Sequence, residues 1–218
     1  MAGMTATPPA APSPVLDLAP VVPVVVLDDA VDAVPLARAL VEGGLPAIEV
    51  TLRTRAAPEV IARIAAEVPE AVVGAGTVLA PDHVRAAVDA GARFLVSPGC
   101  TDLLLRSLRE SALPFLPGAS TASEVLALLE QGVTDMKFFP AEAAGGAAYL
   151  RALSSPLPRA RFCPTGGISA STAADYLALP NVACVGGSWM LPDDALAARD
   201  WSRVTRLARE AVTLRIPG

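Results

Sequence analysis

Lysine is almost missing from this sequence. Of 17 basic residues only Lys137 is lysine; the rest are arginine. Histidine is reduced to His83, in the Pro81-Asp82-His83-Val84 opening of an expected helix, where a surface position is the ordinary reading. With no second imidazole, a zinc site built on paired histidines is excluded, whereas a carboxylate-held magnesium is not. The cysteines Cys100, Cys163 and Cys184 are odd in number and form no CxxC pair, which reads as reduced thiols rather than a disulfide framework. Aromatic residues are only 4%, so Ala, Val and Leu must fill the core. No apolar run is long enough for a membrane span. The net charge of −5, with no basic patch, argues against nucleic acid as a partner. Residues 1–19 are rich in Ala and Pro, and no positively charged segment precedes an apolar stretch there, so they do not read as a secretory signal. They read as a loose tail with a short helical turn near residues 15–18, and the chain as cytoplasmic.

What is present is a large apolar content, 53% hydrophobic against 18% charged, in 218 residues. That suits one domain with a sizeable core, since α/β barrels commonly fill about 200–250 residues. From residue 20 onward a short apolar, β-branched run alternates with a helix-period segment. The runs are 21–27, 47–52, 72–78, 93–97, 114–116, 136–139, 161–164 and 182–185. Between them lie helical segments at 31–42, 58–67, 82–90, 102–110, 122–131, 146–153 and 171–179, and a last one at 201–214 closes the chain. Thr101, Thr121 and Pro81 supply start signals. Continuous apolar runs suit strands buried on both faces, and regular alternation of strand and helix implies a parallel sheet. Eight repeats predict a single (β/α)₈ TIM barrel over residues 20–218. The rival, an open doubly wound sheet, predicts a glycine-rich dinucleotide loop after the first strand. Asp28-Asp29-Ala30 stands there instead.

In such barrels chemistry sits at the carboxyl ends of the strands. Lys137 falls there, in Asp135-Met136-Lys137-Phe138-Phe139-Pro140. Lysine is normally among the commonest residues, so its retention at one position marks a place where arginine does not serve. Only lysine can shed its proton and attack a carbonyl carbon. Strand parity puts Lys137 and Phe139 on one face and Met136 and Phe138 on the other. If the second face meets the helices, Lys137 points into the barrel, where burial favours the neutral amine. A structural lysine paired with a carboxylate is the competing reading. The partner at hand is Glu49, in Ala47-Ile48-Glu49-Val50-Thr51-Leu52, a carboxylate in an otherwise apolar strand that parity puts on one face with Thr51, opposite Ile48, Val50 and Leu52. Near Lys137 it would be a general acid/base, or one half of a plain buried ion pair.

Arg53 follows at the strand end, where a guanidinium could grip a substrate carboxylate with two hydrogen bonds; a surface arginine is the alternative. Thr77, in Gly74-Ala75-Gly76-Thr77-Val78, could add a hydroxyl to the same group. Thr165-Gly166-Gly167 and Gly186-Gly187-Ser188 follow the last two strands, where barrels frequently hold a phosphate on backbone N–H groups. One Gly-Gly is usually a plain turn, but two after adjacent strands point to phosphate.

Together these segments resemble the KDPG/KHG (2-keto-3-deoxy-6-phosphogluconate) aldolase family. The pieces that carry the resemblance are Ile48-Glu49-Val50-Thr51-Leu52-Arg53-Thr54, Gly74-Ala75-Gly76-Thr77-Val78, Ser97-Pro98-Gly99, Lys137-Phe138-Phe139-Pro140-Ala141-Glu142, Pro164-Thr165-Gly166-Gly167-Ile168 and Gly186-Gly187-Ser188-Trp189. The resemblance implies a metal-independent class I aldolase of the Entner–Doudoroff pathway that needs no cofactor. Lys137 would be its Schiff-base lysine and Glu49 its acid/base. It implies Arg53, Thr77 and Pro98 around the pyruvyl part, Phe139 among the substrate-binding residues, and Thr165 along the sugar chain. Gly166, Gly167, Gly187 and Ser188 would hold the phosphate. It also implies a homotrimer that cleaves a phosphorylated keto acid to pyruvate and glyceraldehyde 3-phosphate, with 4-hydroxy-2-oxoglutarate as a second substrate. Ala144 stands where relatives often carry a polar residue. Three rivals would use the same residues differently: a pyridoxal phosphate enzyme, a divalent-metal aldolase and a non-catalytic sugar-phosphate binder.

Overall fold

The computed structural model describes residues 14–214, so residues 1–13 of the expected tail and the last four residues lie outside it. Its strands are β1 (Val21–Val25), β2 (Ala47–Thr51), β3 (Val72–Gly76), β4 (Leu95–Val96), β5 (Phe115–Leu116), β6 (Gly118–Ala119), β7 (Asp135–Phe138), β8 (Arg161–Pro164) and β9 (Val185–Gly187). The helices are α1 (Ala33–Glu42), α2 (Ala57–Glu67), α3 (Pro81–Asp89), α4 (Asp102–Glu110), α5 (Ala122–Glu130), α6 (Gly146–Ser154), α7 (Ala173–Leu177), α8 (Asp193–Ala197) and α9 (Trp201–Val212). The expected start signals operate. Pro81 opens α3, and the Thr101 hydroxyl accepts from Leu104 N at the start of α4. Thr121 and Glu124 form a reciprocal capping box on α5. The backbone N–H groups of Ser120 and Thr121 donate to the Glu124 carboxylate, and the Ser120 bond, ahead of the rest, holds that carboxyl below the usual range.

The strands form a curled parallel α/β sheet in two parts, ordered β5-β4-β3-β2-β1-β9 and β6-β7-β8. Nine strands stand among the described residues where the sequence suggests eight runs. The extra one arises at Pro117, whose missing N–H breaks a single extended stretch into β5, which pairs with β4, and β6, which pairs with β7. The Pro117 carbonyl still accepts from Lys137 N at 2.9 Å. At the other seam β8 meets the segment around β9 through the bridges Phe162↔Val182 and Thr165↔Gly186. The last strand also sits further along than expected, at Val185–Gly187. The short helix α8 has no counterpart in the sequence reading.

The pleat sorts side chains into two cores. Outward residues such as Ile48, Val50, Val73, Met136, Phe138 and Phe162 pack against the helices. Phe138 stacks on Tyr149 of α6 with ring centroids 5.8 Å apart. Inward residues form a second cluster: Val22, Ala47, Phe94, Val96, Leu116, Cys163 and Cys184, joined by Val15 and Leu16. Phe94 lies across β3 because Gly74 leaves the space; a Cβ there would meet its ring at 2.5 Å.

The expected helical turn is a 3-10 turn, Pro14–Asp17. It serves as a plug. Val15 and Leu16 are each 1% exposed inside the sheet's floor, and Asp17 pairs with Arg161 at 2.6 Å. Burial of each of these two apolar side chains contributes roughly 1.5–3 kcal/mol. Leu16→Ala is therefore expected to lower unfolding free energy by about 2–5 kcal/mol in a denaturant titration; an unchanged midpoint would show that the plug carries no stability.

Candidate active site

β7 carries Met136 and Phe138 into the helix-side core, so parity turns Lys137 inward, as expected. The Lys137 side chain is 5% exposed and that of Glu49 3%; Lys137 Nζ lies 3.0 Å from Glu49 Oε1. The two meet across the sheet from β7 and β2. Glycines make the room. A Cβ on Gly76 of β3 would sit 2.2 Å from Glu49 Oε1, and one on Gly118 of β6 would sit 2.2 Å from the Pro98 main chain. The Phe139 ring centroid lies 5.4 Å from Nζ, within range of a cation–π contact. An amine and a carboxyl held this close, shut away from bulk water, can pass a proton between them. Removing either partner would strand a buried charge, at a cost of about 3–5 kcal/mol.

At the rim, Arg53 Nε donates to Thr77 Oγ1 at 3.2 Å, and the guanidinium is exposed. Among the described residues no hydrogen bond links Arg53 to the Lys137–Glu49 pair. Thr77 has φ 56, the left-handed region that a β-branched residue adopts at a cost of about 1–3 kcal/mol. Such strain persists where the surroundings over-determine it, and here it presents the hydroxyl to Arg53.

Thr165 is buried at the end of β8 beside Gly186 of β9; a Cβ on Gly186 would sit 2.2 Å from Thr165 Oγ1. Gly166 and Gly167 turn with φ of 104 and 80, which suits only glycine. Gly187 faces the Trp189 indole, whose ring would meet a Cβ at 1.9 Å, and Ser188 beyond it is exposed. The sequence-expected residues thus divide between a deep pair, an Arg53–Thr77 rim contact and a glycine edge formed by the β8 and β9 ends.

Nothing in the motifs or spacing of the sequence assigns a role to Tyr176 or to the Glu142 side chain. Tyr176 Oη donates to Glu142 Oε1 at 2.6 Å. Burial, and then that bond, push the phenol well above its ordinary range. The available signal was scarcity: Tyr176 is one of two tyrosines. The three cysteines are free. A hydrogen bond with Cys163, then burial, holds the Cys184 thiol well above its ordinary range; burial, then Asp102, pushes Cys100 up to about 11. Both therefore stay protonated at neutral pH, which is poor chemistry for a nucleophile. No group of three or more His, Cys, Asp or Glu side chains stands ready to hold a metal ion among the described residues.

The chain as a whole is similar to known proteins. The family model for KDPG and KHG aldolase matches residues 13–207. The KHG/KDPG aldolase of Escherichia coli K12 is 52% identical over 198 residues, 91% of this chain and 93% of its own length. The 2-dehydro-3-deoxy-phosphogluconate aldolase of Dickeya dadantii is likewise 52% identical over 198 residues, with the same coverage of both chains. Among solved structures, a KDPG aldolase from Legionella pneumophila, with pyruvate captured at low pH as a covalent carbinolamine intermediate, superposes with a TM-score of 0.90. It is 44% identical and is aligned over 93% of this chain and 98% of its own.

If Gly76 exists to seat the Glu49 carboxylate, Gly76→Ala should displace it. The expected outcome is an aldolase rate at least about tenfold lower, far beyond what an overpacking cost of about 1–3 kcal/mol in stability would explain in a protein that stays folded. A rate within twofold of the parent, with the melting curve unchanged, would remove Gly76 from the site.

Proposed function

This chain belongs to the KDPG and KHG aldolase family, and on that premise we propose that Lys137 is its Schiff-base amine and Glu49 its acid/base. The chain is a class I aldolase, a carbon–carbon lyase that cleaves 2-dehydro-3-deoxy-6-phosphogluconate to pyruvate and glyceraldehyde 3-phosphate. It also acts on 4-hydroxy-2-oxoglutarate. The observation that carries the residue assignment is the buried 3.0 Å contact between Lys137 Nζ of β7 and Glu49 Oε1 of β2.

The chemistry follows from that contact. Neutral Lys137 adds to the C2 carbonyl and gives a carbinolamine. Protonated Glu49 delivers a proton to the departing hydroxyl, water leaves, and a cationic iminium forms. The Glu49 carboxylate then accepts the proton of the C4 hydroxyl as the bond between C3 and C4 breaks. The electron pair of that bond passes into the iminium, which becomes a neutral enamine, and the aldehyde leaves. Protonation at C3 and addition of water regenerate the amine and release pyruvate. Glu49 thus alternates between acid and base, which needs a position within hydrogen-bond reach of the amine.

Arg53, held by Thr77, is assigned to the substrate carboxylate, with Pro98 and Phe139 walling the pyruvyl part. Thr165 is assigned to the hydroxylated chain. The Gly166-Gly167 turn, with Gly187 and Ser188, is assigned to the phosphate: backbone N–H groups freed by positive φ are the usual cradle for an anion. The hydrogen bonds and bridges at both seams of the sheet support reading its two parts as one closed (β/α)₈ barrel. A homotrimer and a cytoplasmic location are carried over from the family resemblance; a sedimentation mass of three times the 22.2 kDa chain is the expected result for the trimer, and a monomer mass would sink it.

Borohydride reduction with pyruvate present should leave one stable adduct, on the peptide that contains Lys137, and none in Lys137→Arg. Glu49→Gln should lower kcat by about 10²–10⁴-fold, the usual range for a lost acid/base. Activity should persist in excess chelator. An adduct elsewhere, or none under conditions of turnover, would overturn the assignment.

A further inference from the structure

We propose that the Tyr176–Glu142 pair is a positioning device that fixes the Gly166-Gly167 turn for the phosphate end of the substrate, and so sets the preference for phosphorylated over unphosphorylated keto acids. It rests on the phosphate reading of that turn given above.

Glu142 lies in the loop between β7 and α6, and that loop runs along the turn after β8. Ala141 N donates to Thr165 O at 2.8 Å and Glu142 N to Gly166 O at 3.1 Å. The Glu142 side chain then folds over Gly167, where a Cβ would meet its Cγ at 2.7 Å and its Cβ at 2.8 Å. Its carboxylate ends on the hydroxyl of Tyr176, a residue of α7 that is 1% exposed. Gly146, the first residue of α6, closes the other side; a Cβ there would sit 3.4 Å from the phenol oxygen and 3.9 Å from Glu142 Oε2. Glu142 is exposed, yet its carboxylate is tethered at one oxygen by the Tyr176 hydroxyl, with its stem against Gly167.

That arrangement is otherwise hard to reconcile with an anion site. A carboxylate beside a cradle for a phosphate dianion repels the ligand if it can swing across the turn. Bound to Tyr176 it is held on the α7 side, and its stem splints Gly167, a positive-φ glycine of the cradle. A phenol raised above its ordinary range remains a donor at neutral pH, so the splint does not loosen there. The pair touches no reacting atom. Its influence falls on the far end of the substrate, and only when that end is charged.

The test compares kcat and KM for 2-dehydro-3-deoxy-6-phosphogluconate and for its dephosphorylated counterpart in Tyr176→Phe, Glu142→Ala and Glu142→Gln. Tyr176→Phe and Glu142→Ala are expected to raise KM for the phosphorylated substrate about tenfold with kcat within about twofold, and to leave kcat/KM for the unphosphorylated one within about twofold. Glu142→Gln keeps an acceptor oxygen for the phenol and should restore KM to within about threefold of the parent. Equal losses on both substrates, or none on either, overturn the pairing role. Glu142 is exposed, so its variants report even if Tyr176→Phe fails to fold. If the parent protein itself shows no preference for the phosphorylated substrate, the phosphate reading falls and takes the pair with it. If the parent discriminates and the variants discriminate equally, only the pair falls.

Discussion

One amine and one carboxylate, sealed from water inside a parallel sheet, are the constraint that the remaining architecture serves. Burying such a pair is not a route to stability. The desolvation of two ions is repaid only when geometry is good, and a hydrophobic replacement of similar volume is often neutral or better. Its presence therefore calls for a reason other than folding. The surroundings show what was given up to keep it. β3 spends two inward positions on glycine, Gly74 for the Phe94 ring and Gly76 for the Glu49 carboxylate, although glycine weakens a strand. β6 does the same at Gly118, where the Pro98 main chain approaches.

Much of this was legible in the sequence for definite physical reasons. Strands buried on both faces must be apolar throughout, so the runs stood out, and the two-residue period set Lys137 apart from Met136 and Phe138, and Glu49 apart from Ile48 and Val50; which face turns inward took the packing of the helices to decide. Helix starts at Pro81, Thr101 and Thr121 were readable because capping is local chemistry. What was not readable depends on contacts between distant segments. Pro117 looks like an ordinary residue beside a strand until two different neighbours compete for the stretch that it interrupts. Val15 and Leu16 look like part of a loose Ala/Pro-rich tail until the floor that they fill is built. The Glu142–Tyr176 bond joins residues 34 positions apart, and neither position shows a periodic or charge pattern that signals it.

The glycines give a second view of the same point. The sequence shows Gly-Gly after each of the last two strands and suggests one purpose for both. In the fold they have different tasks. Gly166 and Gly167 supply left-handed turns, Gly186 clears space for the Thr165 hydroxyl, and Gly187 admits the Trp189 ring. A residue chosen for what it lacks serves whichever neighbour needs the vacated volume, which a motif alone does not reveal.

The plug formed by Val15 and Leu16 has a consequence for what keeps the interior dry. Val15 and Leu16 join the inward apolar cluster of the sheet, and Asp17 ties their turn to Arg161 of β8. Loss of that turn would open the lower side of the inward cluster to water, so the dryness of the interior depends on a segment that precedes the first strand.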